Sequence, residues 1–357
     1  MVLDAPGVAR LSAAERAVGE LAGLARWWQP WPEFARVVLG AWWALGEVEG
    51  LGLRVDAAQL LALGPQPHPS RPRRSLRWAV GLVLARRRLE AEPSDRPLTL
   101  GLVTRLYHHL DAPHLARGGR RPQPPGPVAG GAAWTLAGRW REAGLPGLWA
   151  ACLALAAWER EAPEPAPRRH LAGRTLLLGL APRLGIPAHA LDRLGPALAA
   201  AAGEEGQPLE DLLSRVRRQG AWRPLFHAFL RAVERSAREV AELARAAAQR
   251  HRRHHELVDT WVRAPNNPKR LLDLLLVRPV VDLPLVARRL EVTQRTAGLL
   301  VAKLADQGLL REITGQRRGR RWAYLPLLQL LQPGWGEYPA PPEEHRNEPE
   351  HFHTRSS

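Results

Sequence analysis

Cysteine is almost missing from this chain: of 357 residues, only Cys152 carries a thiol. That excludes an internal disulfide and any zinc site built from cysteines, and its place in the apolar run Leu148 to Trp158 makes Cys152 a buried small hydrophobe. Long apolar runs are missing as well. No stretch of about twenty apolar residues occurs that would cross a bilayer. Met1 to Arg10 carries Asp4 and lacks a basic start followed by an apolar core, so no secretory signal is expected either. The sequence therefore predicts a cytoplasmic protein without membrane contact. Lysine is nearly absent: only Lys269 and Lys303 occur, and arginine supplies the remaining basic residues. Strand-like alternation is scarce before Leu309, which predicts a mainly α fold.

What is present is length, apolar content and positive charge. A chain of this size holds two or three domains, and 45% hydrophobic residues is a globular composition. The formal charge is +16 and the isoelectric point about 11.4. Abundant Ala, Leu, Pro and Arg together are what GC-rich coding produces, so the total charge is weaker evidence for an acidic partner than a local cluster of arginines.

Helical periodicity runs over Leu11 to Leu24, Pro32 to Leu45, Asp56 to Leu63, Arg77 to Glu90, Leu98 to Leu110, Ala132 to Ala143 and Leu148 to Glu161. It continues over Leu171 to Leu184, Ala188 to Ala201, Pro208 to Arg218 and Trp222 to Arg250. Trp27, Trp28, Trp31, Trp42 and Trp43 read as braces between helices. Prolines mark linkers at Gly64 to Arg74, Gly118 to Gly131 and Ala264 to Lys269. The histidines of His251 to His255 are crowded and no carboxylate frames them in the sequence, so they read as a solvated helix end, with no metal site expected. The resulting division is 1–64 (N-terminal helices), 73–262 (helical core), 265–332 (winged helix) and 333–357 (a disordered tail rich in Pro, Glu and His).

The segment Val280 to Leu328 carries the most specific pattern. Asp282 stands where an N-cap belongs, and Leu283, Val286, Ala287 and Leu290 follow at helical spacing. Glu291 and Val292 make a turn. Thr293 caps a second helix whose buried stripe is Ala297, Leu300, Val301 and Leu304, with Gly308 as the stop. Leu309 to Thr314 and Arg320 to Leu325 read as strands around a turn at Gly315 to Gly319. This is the order of a winged helix. Gln294, Arg295 and Lys303 fall on the outer side of the second helix, as types that bond bases or neutralise phosphates in a major groove. Arg317, Arg318, Arg320 and Arg321 crowd the wing, where phosphate contacts would make binding salt-dependent. DNA is the expected partner, and palindromic operators would imply a homodimer. Winged helices also dock proteins, so a protein-interaction adaptor is the alternative.

The order of elements resembles the large bacterial Fic (Fido) proteins, in which N-terminal helices, a helical core and a C-terminal winged helix follow one another. The stretches that carry the likeness are "LLREITGQRRGRRWAY" at Leu309 to Tyr324 and "GAWRPLFHAFLRAVERSAREV" at Gly220 to Val240. "PLTLGLVTRLYHHL" at Pro97 to Leu110 and "ALGEVEGLGLRVDAAQLL" at Ala44 to Leu61 add to it. The resemblance implies a loop of the pattern His-Pro-Phe-x-Asp/Glu-Gly-Asn-Gly-Arg-x-x-Arg, with a histidine base, a magnesium-binding acid and a phosphate nest. The corresponding place, Trp158 to Leu178, departs from it. Ala162 and Pro163 stand at His-Pro, Glu164 at the phenylalanine, and Ala166 at the acid. Pro167, Arg168 and Arg169 fill the glycine-rich stretch.

Arg174 alone matches the closing arginine, after a one-residue insertion, and His170 is the only histidine within reach. Arg168, Arg169 and Arg174 at a helix start form a candidate anion site. In the implied inhibitory motif, Ser/Thr-x-x-x-Glu-Gly/Asn, Glu49 and Gly50 remain while Leu45 replaces the hydroxyl residue, and Glu49 is expected to pair with an arginine such as Arg174. The reading is a catalytically degenerate Fic-like regulator with no catalytic residue, no metal and no cofactor. The enzyme alternative, a protein adenylyltransferase with a rearranged loop, would require ATP and magnesium.

Overall fold

The computed structural model describes residues 4–62, 74–93, 139–140, 142–162, 166–261 and 266–335; side chains of residues 74 and 166–168 are not among them. The helix expected at Leu98 to Leu110, the loop at Gly118 to Gly131, most of Ala132 to Ala143, and the tail beyond Trp335 lie outside the described residues. Within them the fold is mainly α, with one small sheet near the C-terminus.

Helix α1 (Ala5–Trp27) starts at Asp4, whose carboxylate accepts from the Gly7 amide at 2.8 Å. Its buried residues Gly7, Ala14, Ala17 and Leu21 are mostly small, which lets it lie close against the longest helix of the molecule. Trp31–Phe34 (α2) continues through a π-helical turn at Ala35–Leu39 into α3 (Gly40–Gly50), and the short α4 is Ala57–Ala62. Trp31 and Trp43 are buried and Trp28 and Trp42 partly so, as braces should be. Trp27 departs from that expectation: it is 88% exposed, because it closes α1 on the solvent side.

Next come α5 (Arg74–Glu90), α6 (Gly147–Glu161) and α7 (Ala166–Leu180). Helix α6 is apolar nearly all round, as a helix surrounded by others must be, and Cys152 is fully buried in it. Short 3₁₀ turns at Ala181–Leu184 and Ala188–Leu191 replace two helical ends anticipated from periodicity. Helices α8 (Leu194–Glu204) and α9 (Leu209–Gln219) lead to α10 (Trp222–Asp259).

Helix α10 has 38 residues, roughly 57 Å at 1.5 Å per residue. Leu225, Phe229, Val233, Val240, Ala244 and Ala247 keep one face inward along its first two-thirds. The histidine tract therefore does not end this helix; it lies inside it, facing the C-terminal elements.

Those elements are α11 (Asn267–Val277), β1 (Val280–Asp282), α12 (Leu283–Leu290), α13 (Gln294–Asp306), β2 (Leu310–Glu312), β3 (Arg321–Tyr324) and α14 (Leu325–Leu331). The sheet order is β1-β3-β2, antiparallel throughout, with Val281 opposite Trp322 and Glu312 opposite Trp322 on the other side. Strand β1 and helix α14 are absent from the sequence expectation. Three residues cannot show a period of two, and α14 begins directly at the last residue expected in the second strand.

The end of α14 is tied to the N-terminal region. Gln332 Oε1 accepts from the Ala57 amide at 3.1 Å, and the buried Trp335 donates its indole N–H to Asp56 at 3.1 Å. The segment expected to be disordered from Pro333 therefore keeps Trp335 packed against the N-terminal region. On the other side, His254 bonds the Tyr324 hydroxyl and Arg250 donates to the Pro326 carbonyl, each at 2.5 Å, so α10 and the C-terminal module are joined by polar contacts.

Candidate nucleic-acid interface

The two helix starts at the heart of the module form as their capping residues dictate. Asp282 accepts from the Leu285 amide at 2.8 Å and Thr293 from the Thr296 amide at 3.2 Å. Glu291, at φ 59°, takes the left-handed conformation that ends α12 and turns the chain toward α13. Ala297, Val301 and Leu304 are buried and Leu300 partly so, which fixes the outward face of α13.

That outward face carries Gln294 and Arg295, both exposed, as expected. It continues through Leu299, 66% exposed, and Ala302. The outer row Arg295, Leu299, Ala302 thus mixes a cation with apolar groups that suit a thymine methyl. Sequence reading passed over Leu299, although its spacing of four from Arg295 places it there. Lys303 is exposed as well, as expected, and its ammonium lies 3.9 Å from the Trp261 ring centroid, over the ring's negative face near the end of α10.

The wing turn is bracketed by Gly315 (φ 63°) and Gly319 (φ 68°), whose conformations only glycine adopts without strain. Glu312 folds the chain back: its carboxylate accepts from the Thr314 hydroxyl and from the Thr314 and Gly315 amides, the last two at 2.8 and 3.0 Å. Although slight burial opposes it, these hydrogen bonds and nearby Arg320 hold the Glu312 pKa below its ordinary value. Arg317, Arg318 and Arg320 stand exposed on the turn, Arg320 donating to the Gln316 carbonyl at 3.0 Å.

Arg321 does not join them. In β3 the side-chain direction alternates, and Arg321 turns inward to donate to the Ala62 carbonyl at 3.2 Å. It lines a cavity of about 680 Å³ between module and core, together with Arg36, Arg87, Arg278, Arg288 and Arg289. Burial, with repulsion from Arg36 and Arg278, lowers the pKa of Arg87 there.

At the second region singled out from sequence, the corner between α6 and α7, the described side chains are engaged with one another. Ala162 is fully buried; its amide caps α6 on the Trp158 carbonyl and its carbonyl accepts from Arg217 at 2.8 Å. Arg169 and His170 are both buried, and both meet Glu159, at 2.9 and 2.8 Å. Pro163 and Glu164 lie outside the described residues, as do the side chains of Ala166 and Arg168.

Arg174 is held by Glu47, with contacts of 3.2, 3.1 and 2.7 Å. Burial alone would lower the Arg174 pKa, but the Glu47 charge and its hydrogen bonds raise it above the ordinary arginine value. Glu49, expected as the partner, is exposed with Gly50, because two residues along a helix turn a side chain about 200° away. Gly195 leaves room for this pair: a Cβ there would sit 2.7 Å from Glu47 Oε1 and 3.1 Å from Arg174 Nε. Arg169 and Arg174 are thus already paired with carboxylates, which corrects their expected part in an anion site.

Fold and site together define a helical protein carrying a C-terminal winged-helix module. Residues 269–325 match the family described as "HTH DNA binding domain". The chain is similar to the crystal structure of a Fic family protein from Desulfovibrio desulfuricans G20, at 11% identity and a TM-score of 0.41, over 91% of this chain and 97% of that one. No curated protein matches the sequence. Among the described residues, no helix is long and apolar enough to cross a membrane.

Proposed function

We propose that the chain is a non-catalytic DNA-binding regulator, in which α13 enters the major groove and the wing holds the phosphate backbone. The single observation that carries this reading is geometric: Gln294, Arg295 and Leu299 are exposed on α13 while Arg317, Arg318 and Arg320 are exposed on the neighbouring wing. The matching DNA-binding family over 269–325 supports it. Two such modules would be needed for a palindromic site, so the regulator acts as a homodimer.

The corner at Ala162 supports the absence of catalysis. A nucleotide with magnesium needs a base, a metal-binding carboxylate and free phosphate donors. The described residues there do not fit that group: His170 and Arg169 are spent on Glu159, Arg174 on Glu47, and Ala162 offers no proton acceptor in its side chain.

The test is a fluorescence titration of a random-sequence duplex with the wild type and with Arg317, Arg318 and Arg320 all replaced by Ala. Binding at least about tenfold weaker in the variant is expected, as losing several phosphate contacts requires; equal, negligible binding by both proteins sinks the proposal. Incubation with labelled ATP and cell lysate should give no label transfer. Transfer abolished by His170→Ala would restore the adenylyltransferase reading.

A further inference from the structure

The histidine tract, unassigned by the reading above, meets a carboxylate that only folding brings to it. His251 and His255 are one helical turn apart on α10, on one face, with ring centroids 4.3 Å apart. Asp273 of α11 reaches both: its Oδ1 lies 3.0 Å from His251 Nε2 and 2.9 Å from His255 Nε2. One nitrogen or oxygen from each residue falls within 4.8 Å of the other two. Ligand atoms around a tetrahedral ion at about 2.0 to 2.1 Å stand roughly 3.3 Å apart. Asp273 therefore already stands near that spacing from both imidazoles, and small rotations about the side-chain bonds would open room for an ion among the three groups.

We propose that His251, His255 and Asp273 form a binding site for a divalent transition metal ion of the zinc class, with further positions filled by water. Two imidazoles and one carboxylate are donors of the kind zinc, nickel and copper take, and not the all-oxygen set of calcium or magnesium. The site is reachable: the side chains of His251 and His255 are 16% and 26% exposed and that of Asp273 is 58% exposed. The nearest lysine, Lys269, is engaged with Asp259 at 2.5 Å. On binding, each Nε2 gives up any proton it shares with Asp273 to solvent and turns its lone pair to the metal. The ion then ties α10, the spine of the core, to α11, the first helix of the winged-helix module.

The experiment uses the full chain, stripped with a chelator, titrated with Co²⁺ while its visible absorption is read, and with Zn²⁺ while its melting temperature is read. His345, His351 and His353 in the tail offer a competing set of ligands, so a variant with these three replaced by Ala is run beside His255→Gln and Asp273→Asn. The wild type and the tail variant should bind one equivalent, with low-symmetry cobalt bands and a rise in melting temperature. Loss of a ligand should weaken binding by at least roughly tenfold, even where the metal-free melting temperature is unchanged. One-equivalent binding that survives both site variants, binding lost with the tail histidines, or no saturation in the wild type overturns the proposal. No DNA is present, so failure here leaves the DNA-binding reading untouched, and failure of DNA binding leaves this one untouched.

Discussion

At the scale of single residues, Glu47 and Glu49 separate a role in folding from a resemblance in sequence. Glu47 is buried against Arg174, so Glu47→Ala leaves a guanidinium in the interior without its partner, at a cost of about 3 to 5 kcal/mol. Glu49 is exposed, and Glu49→Ala should stay within about 0.5 kcal/mol of the wild type. Urea unfolding of the two variants checks this; equal stabilities would contradict the assigned pair. The motif Glu-Gly drew attention to Glu49, since a linear pattern shows which residue types occur and not which helix face they share with a distant partner. The same limit hid Asp273 from the histidine tract. By contrast, Cys152 and the caps Asp282 and Thr293 were legible, because burial in an apolar run and bonding within three residues are local properties.

At the scale of elements, the helix-turn-helix was readable in full and its edges were not. Caps, periodic apolar residues and Gly308 define α12 and α13 locally, whereas β1 exists only through pairing with β3, which lies about forty residues later. Asp282→Ala should lower stability by about 0.5 to 2 kcal/mol, as loss of an N-cap does, in a denaturant titration. The wing turn depends on ionised Glu312. Its pKa is depressed in the folded chain, so its contribution is present above the ordinary glutamate value of 4.5 and is lost as pH falls through the lower folded value. Amide exchange at Thr314 and Gly315 should therefore show unchanged protection from neutral pH down to about 5, once the intrinsic exchange rate is allowed for, and loss of protection in Glu312→Ala at every pH. Protection that persists in the variant would show that the two glycines shape the turn unaided.

At the scale of the whole molecule, the winged helix is bound into the helical body through α10, through Gln332 and Trp335 on the segment 55–57, and through Arg321 on Ala62. A single thermal transition is expected for the intact chain. Removing the buried Trp335 as Trp335→Ala should cost about 3 kcal/mol and make the module melt ahead of the core. A calorimetric trace with unchanged cooperativity would contradict that coupling. Charge at this scale is uninformative alone, since arginines such as Arg174 are neutralised by a partner such as Glu47, and the surplus that makes up the +16 lies in the arginine-lined cavity as well as on the wing. The most direct measurement is the salt dependence of binding to duplex DNA. The logarithm of the wild-type binding constant should fall linearly with the logarithm of salt, by about 0.9 for each phosphate held. Replacing Arg317, Arg318 and Arg320 with Ala should flatten that slope, while Arg321→Ala, which faces the core, should leave it close to wild type. A wild-type slope of zero, or one that Arg321→Ala flattens as much as the wing variant does, would contradict the account.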